Sequence, residues 1–291
     1  ALYALVSVLA GWAQVIAFVQ LEHDQKSEIP HNSIKVMSYN VRSFDLYNWN
    51  ENTETRKKFF DLIKKESPDI LCLQEFYTSE GKDIYHLNNL DTLLRLQKAK
   101  NFYTEYTRTL RGTDHWGGAI FTIYPIINKG KMLFEKSHNL FMFCDVKINN
   151  DTVRIYNLHL QSIHFKKIDY KFLEDLENDK ETEELENSKN IFKKLKAAYI
   201  KRARQADSIE AHIAASPYPV IVCGDFNDTP SSYTYHTISQ NLEDAFIENG
   251  SGLGRTYVGK FPSFRIDYIL HSNNYKAKNF YVIEEPLSDH Y

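Results

Sequence analysis

The sequence predicts an α/β layered sandwich, and three observations carry that reading. Strand-like apolar runs recur along most of the chain, few helices separate them, and Tyr (19) and Phe (18) are abundant, residue types that suit a pleated, half-buried surface. A doubly wound sheet would place a helix after each strand, which this order does not supply. The chain's 291 residues are ample to bury a core. Its composition, 43% hydrophobic and 25% charged, is that of an ordinary folded domain. The net charge of -3 carries no basic footprint, which argues against strong non-specific binding to long nucleic acid. One face of a cleft can still be locally positive.

The elements follow in order. Residues 1–21, ALYALVSVLAGWAQVIAFVQL, carry no charge and match the roughly 20 apolar residues of a spanning helix. They are expected to form a transmembrane helix that packs little against the rest. A signal peptide fits less well, because a basic leading region is missing. Residues 22–33 are polar, contain Pro30 and read as a linker to a domain over 34–291. The chain opens on Ala1 and stops at Tyr291, and is expected to be a piece cut at both ends.

IKVMSYNV reads as the first strand. Thr53 to Glu66 reads as a helix, with Thr53 as cap, Phe59, Phe60 and Ile63 on one face, and Pro68 after its end. DILCLQE is a second buried strand. Further strands are expected near Phe102–Tyr106, Gly118–Ile123, Leu140–Ile148 and Thr152–His159, then in PVIVCGD, RIDYIL and Phe280–Ile283. Residues 165–215 differ: they read as nearly continuous, densely charged helix, a solvated hairpin or mobile excursion, with a docking surface for a partner as the alternative. Cys72, Cys144 and Cys223 sit singly in apolar runs, without a CxxC pair, and read as small buried hydrophobes.

Six of these runs end in polar residues: Asn40, Glu75, Asn157 with His159, Asp225 with Asn227, Asp267, and Asp289 with His290. One such ending is usually a cap or a turn. Six on one strand-rich chain form an inventory for phosphate ester hydrolysis, provided the strand ends converge. A hard cation wants oxygen ligands, a carboxylate must hold or deprotonate the attacking water, and donors must meet the charge on the phosphoryl oxygens. No G-x-S-x-G elbow and no P-loop occurs.

The ordered set SYN, LQE, NLHLQS, GDFND, RIDYIL and SDH resembles the endonuclease/exonuclease/phosphatase superfamily, the deoxyribonuclease I-like group, over Ile34 to Tyr291. It is most similar to membrane-anchored bacterial members. The resemblance implies a four-layered α/β sandwich of two packed mixed β-sheets flanked by helices. It implies Mg²⁺ or Mn²⁺, with Glu75 as principal ligand and Asn40 and Asp289 close to the same ion. Asp225 would orient and activate the water, Asn227 would donate to the scissile phosphate, and His290, held by Asp267, would stabilise the phosphoryl oxygens. His159 would be a second phosphate donor, as in the deoxyribonuclease and sphingomyelinase branches, with Asn157 on the substrate side. The sequence departs from the apurinic endonucleases two positions after Asn40, where Arg42 replaces an acidic residue.

Two loops add substrate candidates. Trp116, in LRGTDHWGGAIF, is placed to stack on a base or sugar, and Arg255, in GSGLGRTY, to meet a phosphate. The expected function is metal-dependent hydrolysis of a phosphodiester or phosphomonoester at a membrane, the bacterial inner membrane. Nucleic acid, inositol phosphate and phospholipid head group all stay open as substrate, since branches of one fold differ in their loops. The rival is a catalytically inactive, membrane-anchored binding module or scaffold on the same fold, whose mark would be a broken catalytic set.

Overall fold

The computed structural model describes residues 11, 17–20, 30, 32–81, 87–134, 137, 139–163, 165, 168–172, 184–259 and 264–291. Among them, strands β1 (Val36–Asn40), β2 (Ile70–Ser79), β3 (Asn101–Leu110) and β4 (Asp114–Thr122) form one sheet, ordered β1-β2-β4-β3. Strands β5 (Ile126–Leu133), β6 (Leu140–Ile148), β7 (Asp151–His159), β8 (Val220–Asp225), β9 (Glu243–Asp244) and β10 (Asp267–His271) form the other, ordered β5-β6-β7-β8-β10-β9. Both sheets mix parallel and antiparallel pairs, as expected.

Period-two alternation builds the layers. In β2, Ile70 and Cys72 face the other sheet and pack with Ile120, Met142, Cys144, Ile155 and Cys223. Leu71 and Leu73 point the opposite way, onto helix α1 (Thr55–Glu66) through Phe59 and Ile63, in one cluster with Leu93 of helix α2 (Asn89–Leu96). Across the molecule, Tyr156, Leu158 and Val222 face Ala206 and Ile209 of helix α3 (Glu184–Ala214). The order helix, sheet, sheet, helix follows from these faces. All three cysteines are buried and free of disulfides.

Several boundaries differ from expectation. Thr53 does not cap α1: Asn52 accepts the Glu54 N–H (3.0 Å) through its side chain and the Thr55 N–H (3.1 Å) through its carbonyl. Phe280–Ile283 is not a strand, and β5 was not anticipated, because Lys129, Gly130 and Lys131 interrupt its apolar pattern. Residues 168–172 and α3 are helical as expected, while residues 173–183 lie outside the described residues. The remainder of α3 is more than a solvated excursion, because Ile191, Ala198, Arg202, Ala206 and Ile209 are buried.

Most of residues 1–21 and of the 22–33 linker lie outside the described residues. No helix among the described residues is long and apolar enough to cross a membrane. The expectation of little packing fails for Ala17 and Gln20, which are buried against the domain. The Ala17 carbonyl accepts from Arg265 Nη2 (2.8 Å), and Gln20 exchanges two 2.9 Å backbone bonds with Gly252.

Candidate active site

Topology brings the polar strand ends together. β1 and β2 run parallel, as do β7 and β8, so Asn40, His159 and Asp225 lie at carboxyl ends; Glu75, expected to end its strand, lies midway along β2, beside the end of β1. β10 is antiparallel to β8, which places its first residue, Asp267, opposite Asp225; His159 is the partner of Asp225 on the other side. Gly224 permits this approach. Its φ is +148°, and a Cβ there would lie 2.2 Å from the Leu158 carbonyl oxygen.

Glu75 reaches the cleft through a bulge. The β2–β4 register shifts between Leu73 and Phe76, and Glu75 adopts φ 49°. Bulges beside functional sites re-aim side chains in this way. The chain also leaves β1 through a left-handed run, Arg42 to Asp45, with φ between 44° and 57°. This run lays the Arg42 guanidinium 4.4 Å from the Trp49 ring centroid and 3.5 Å from Asp289 Oδ2.

The side chains form one network. Asn40 Nδ2 donates to Asp225 Oδ2 (3.0 Å) and lies 3.4 Å from Glu75 Oε1. Asn227 donates to Asp225 from its backbone N–H (2.8 Å) and from Nδ2 (3.0 Å). His159 Nε2 sits 3.7 Å from Glu75 and 3.8 Å from Asp225, and His290 Nε2 sits 3.7 Å from Asp225. His290 Nδ1 contacts Asp267 Oδ2 at 2.8 Å. Ser288 Oγ donates to the Asn40 carbonyl (2.9 Å) and so pins the last motif to the first.

Electrostatics sets the two ends of this network apart. Burial pushes the Asp225 carboxyl up, and Asp267 adds to that, while His290 and His159 pull it down; it settles at about 6. Burial would push His290 down, but the charges of Asp267 and Asp225 outweigh it and hold the imidazole up at about 10. His290 is therefore an imidazolium at neutral pH, and Asp225 is ionised yet basic enough to take a proton.

The donors present suit a hard divalent cation. Glu75 remains 38% exposed in its side chain, which leaves room for water ligands beside Asn40. Asp267 Oδ1 is buried without a partner. Asp225, Asp267 and His290 also offer atoms within 4.8 Å of one another. A protonated His290 has no lone pair to give, so Glu75 and Asn40 are the better ligands. Asp289 is turned to Arg42 and Ser288.

The other substrate candidates separate. Asn157 is buried, donates to the Leu73 and Ala119 carbonyls (2.9 and 3.0 Å) and accepts from Gln74 Nε2 (2.7 Å). Its amide ties the two sheets together, which corrects the expectation of substrate contact. Trp116 lies on β4, 4.9 Å from the Tyr77 ring, with Arg108 5.4 Å from its centroid. Arg255 is exposed beside Thr256. Sequence reasoning missed Thr256, whose Oγ1 accepts the Ile266 and Asp267 N–H groups (both 3.0 Å), and Tyr257, whose ring meets His290 edge-on at 5.4 Å. It also missed Arg202, which bonds Asp228 (2.9 Å) and the Gln161 carbonyl (2.8 Å), joining the loops after β7 and β8. A Thr-Tyr pair and an arginine in a charged helix carry no signal of their own.

Comparison with curated proteins finds no match. Among solved structures the chain is similar to a humanised TDP2 of D. rerio carrying 14 mutations, at 14% identity and a TM-score of 0.57, covering 86% of each chain. The human Nocturnin catalytic domain with bound sulfate is similar at 19% identity and a TM-score of 0.55, covering 85% of this chain and 84% of that one. Sphingomyelinase C from Streptomyces griseocarneus is similar at 16% and 0.53, covering 85% of each. At such identities the likeness is one of fold. The sequence profile of the Endonuclease/Exonuclease/phosphatase family matches residues 37–290, from the strand that carries Asn40 to His290 itself. The chain belongs to the Endonuclease/Exonuclease/phosphatase family.

Proposed function

We propose that this chain is a phosphoesterase that uses Mg²⁺ or Mn²⁺ and works tethered to a membrane, the bacterial inner membrane. The observation that carries the reading is the setting of Asp225: buried, raised to about 6, and surrounded by Asn40, Asn227, His159 and His290. A base near neutrality is what water activation requires.

In this reading Asp225 orients the attacking water and takes its proton. His290 Nε2, with Nδ1 fixed on Asp267, donates to the phosphoryl oxygens as charge builds there, and His159 donates from the opposite side. Asn227 reaches the phosphate by exchanging its Nδ2 bond to Asp225. Glu75 and Asn40 would hold the cation, with Asp289 joining once released from Arg42. A bound divalent ion would polarise the phosphoryl group and offset its charge. Trp116 and Arg255 stand as outer contacts for the rest of the substrate, a nucleic acid, inositol phosphate or phospholipid head group. The uncharged run ahead of Ala17 supports the tether, since Ala17 and Gln20 themselves are held by the domain.

The test is a panel of DNA, RNA, an inositol polyphosphate, sphingomyelin and bis(nitrophenyl) phosphate, with Mg²⁺, with Mn²⁺ and with EDTA. Cleavage of at least one ester with metal and of none in EDTA supports the reading. Full turnover in EDTA overturns the metal. Binding without turnover would make the chain an inactive module.

A further inference from the structure

The amino-terminal half of α3 stands beyond the catalytic end of the sheets. Arg202 marks the level of the rim, since it bonds Gln161 after β7 and Asp228 after β8. α3 leads into the start of β8, so it runs antiparallel to that strand. Glu184–Lys201 therefore projects past the strand ends, by roughly 25 Å at 1.5 Å per residue. The 168–172 turn supports it, with Phe172 and Ile191 buried and Lys194 bonded to Asp169.

Glu184 and Glu186 stand in the first turn of this overhang, and from Lys189 on its outward side is basic and aromatic. Between Ser188 and Ala206 the sequence holds seven Lys or Arg and no acidic residue. Lys194 and Arg202 are engaged by Asp169 and Asp228. Lys189, Lys193 and Lys196 are exposed, at spacings of four and three that keep them on one side. Phe192 (71% exposed), Tyr199 and Ile200 stand among them, and Ile168 (64%) stands on the neighbouring turn. The apolar amino-terminal segment meets the domain at the β9–β10 edge, where the Arg265 guanidinium that holds Ala17 also bonds Asp244 (2.7 Å). Arg265, which holds Ala17, precedes Asp267 by two residues, and Gly252, which holds Gln20, lies in the loop leading to Thr256.

We propose that the catalytic end of the domain rests on an anionic lipid surface, with the amino-terminal half of α3 as the docking face. The proposal rests on the membrane tether of the functional reading but not on the hydrolysis. Lysines offer charge complementarity to anionic head groups, and Phe192 and Ile200 have a place at the acyl boundary that water does not give them. Nucleic acid would match the lysines but not the exposed aliphatic side chains. The active site then faces the bilayer, where ester groups of lipids or of lipid-linked substrates lie.

The test uses the full chain with Phe192→Cys labelled by an environment-sensitive fluorophore; the native cysteines are buried. Ala211→Cys, exposed on the carboxyl-terminal half of α3, is the control. On vesicles of phosphatidylcholine with phosphatidylglycerol, the label at 192 should shift to the blue and be quenched by spin-labelled lipid, and the label at 211 should not. High salt should weaken the response. Lys189→Glu/Lys193→Glu/Lys196→Glu should reduce it at least tenfold, given about fivefold per basic residue, while hydrolysis of bis(nitrophenyl) phosphate is unchanged. A label at 192 that stays in water on these vesicles overturns the proposal, as does a response to an oligonucleotide in place of vesicles. Retention on phosphatidylcholine alone reports the tether, and the soluble ester reports the chemistry, so the three readings fail separately.

Discussion

Replacing Asp267 by Asn keeps the size of the side chain and removes the charge beside His290 Nδ1, 2.8 Å away. The rise of His290 from 6.5 to about 10 corresponds to about 5 kcal/mol in favour of the imidazolium. Burial opposes that rise, and Asp267 is the first of the charges that overcome it. One adjacent opposite charge is worth about 1–3 pH units, so its loss should lower the imidazole by about 2, or about 3 kcal/mol. At pH 8 about half of His290 is then neutral and kcat/KM should fall about twofold, and at pH 9, where the wild type still holds its proton, about tenfold. At pH 6 the imidazole recovers its proton and the defect should shrink. Stability carries the same signature with a defined sign. A histidine raised in the folded state contributes stability that is fully present below the unfolded value of about 6.5 and is lost as pH rises through about 10. Urea unfolding in EDTA should therefore show the wild type ahead of Asp267→Asn at pH 6, with the gap closing toward pH 10. NMR titration of the His290 ring reads the change directly. A pH-independent rate defect, or Asp267→Asn and His290→Ala losses that simply multiply in a double-mutant cycle, would refute the dyad.

Three further outcomes follow from named contacts. Asp225→Asn should lower kcat by about 10²–10⁴-fold while circular dichroism stays unchanged. Glu75→Gln should weaken binding of Mg²⁺ and Mn²⁺ in calorimetry, because a neutral amide is a poorer ligand for a hard cation; unchanged affinity would move the ion to Asp225 and Asp267. Asn157→Ala should cost about 2–4 kcal/mol of stability through unpaired Leu73, Ala119 and Gln74 groups, with little effect on KM; a rise in KM at full stability would restore Asn157 to the substrate.

The strand-end polar residues were legible in the sequence because chemistry and periodicity coincide there. Period-two apolar runs can stop only where the chain leaves the core, and Asn40, His159 and Asp225 stand at those stops, while Glu75 breaks the pattern at a bulge inside β2, which runs on, buried, to Ser79. The helix carrying Phe59, Phe60 and Ile63 was legible for the matching reason of a 3.6-residue period. Asn157 misled because a polar residue two positions before His159 looks the same whether it faces a cleft or the opposing sheet, and strand alternation cannot say which partner sheet lies there. Arg202 and Arg265 were invisible for a related reason: a buried cation is tolerable only beside its carboxylate, and Asp228 and Asp244 are 26 and 21 residues away in sequence. Local pattern alone thus determined the layered α/β class and the residue types of the site. Only tertiary structure decided which of those residues meet, through the parallel β7–β8 pairing, the bulge that turns Glu75, and the close approach at Gly224. These are contacts between distant segments, and their energies depend on separations in space that no local pattern encodes.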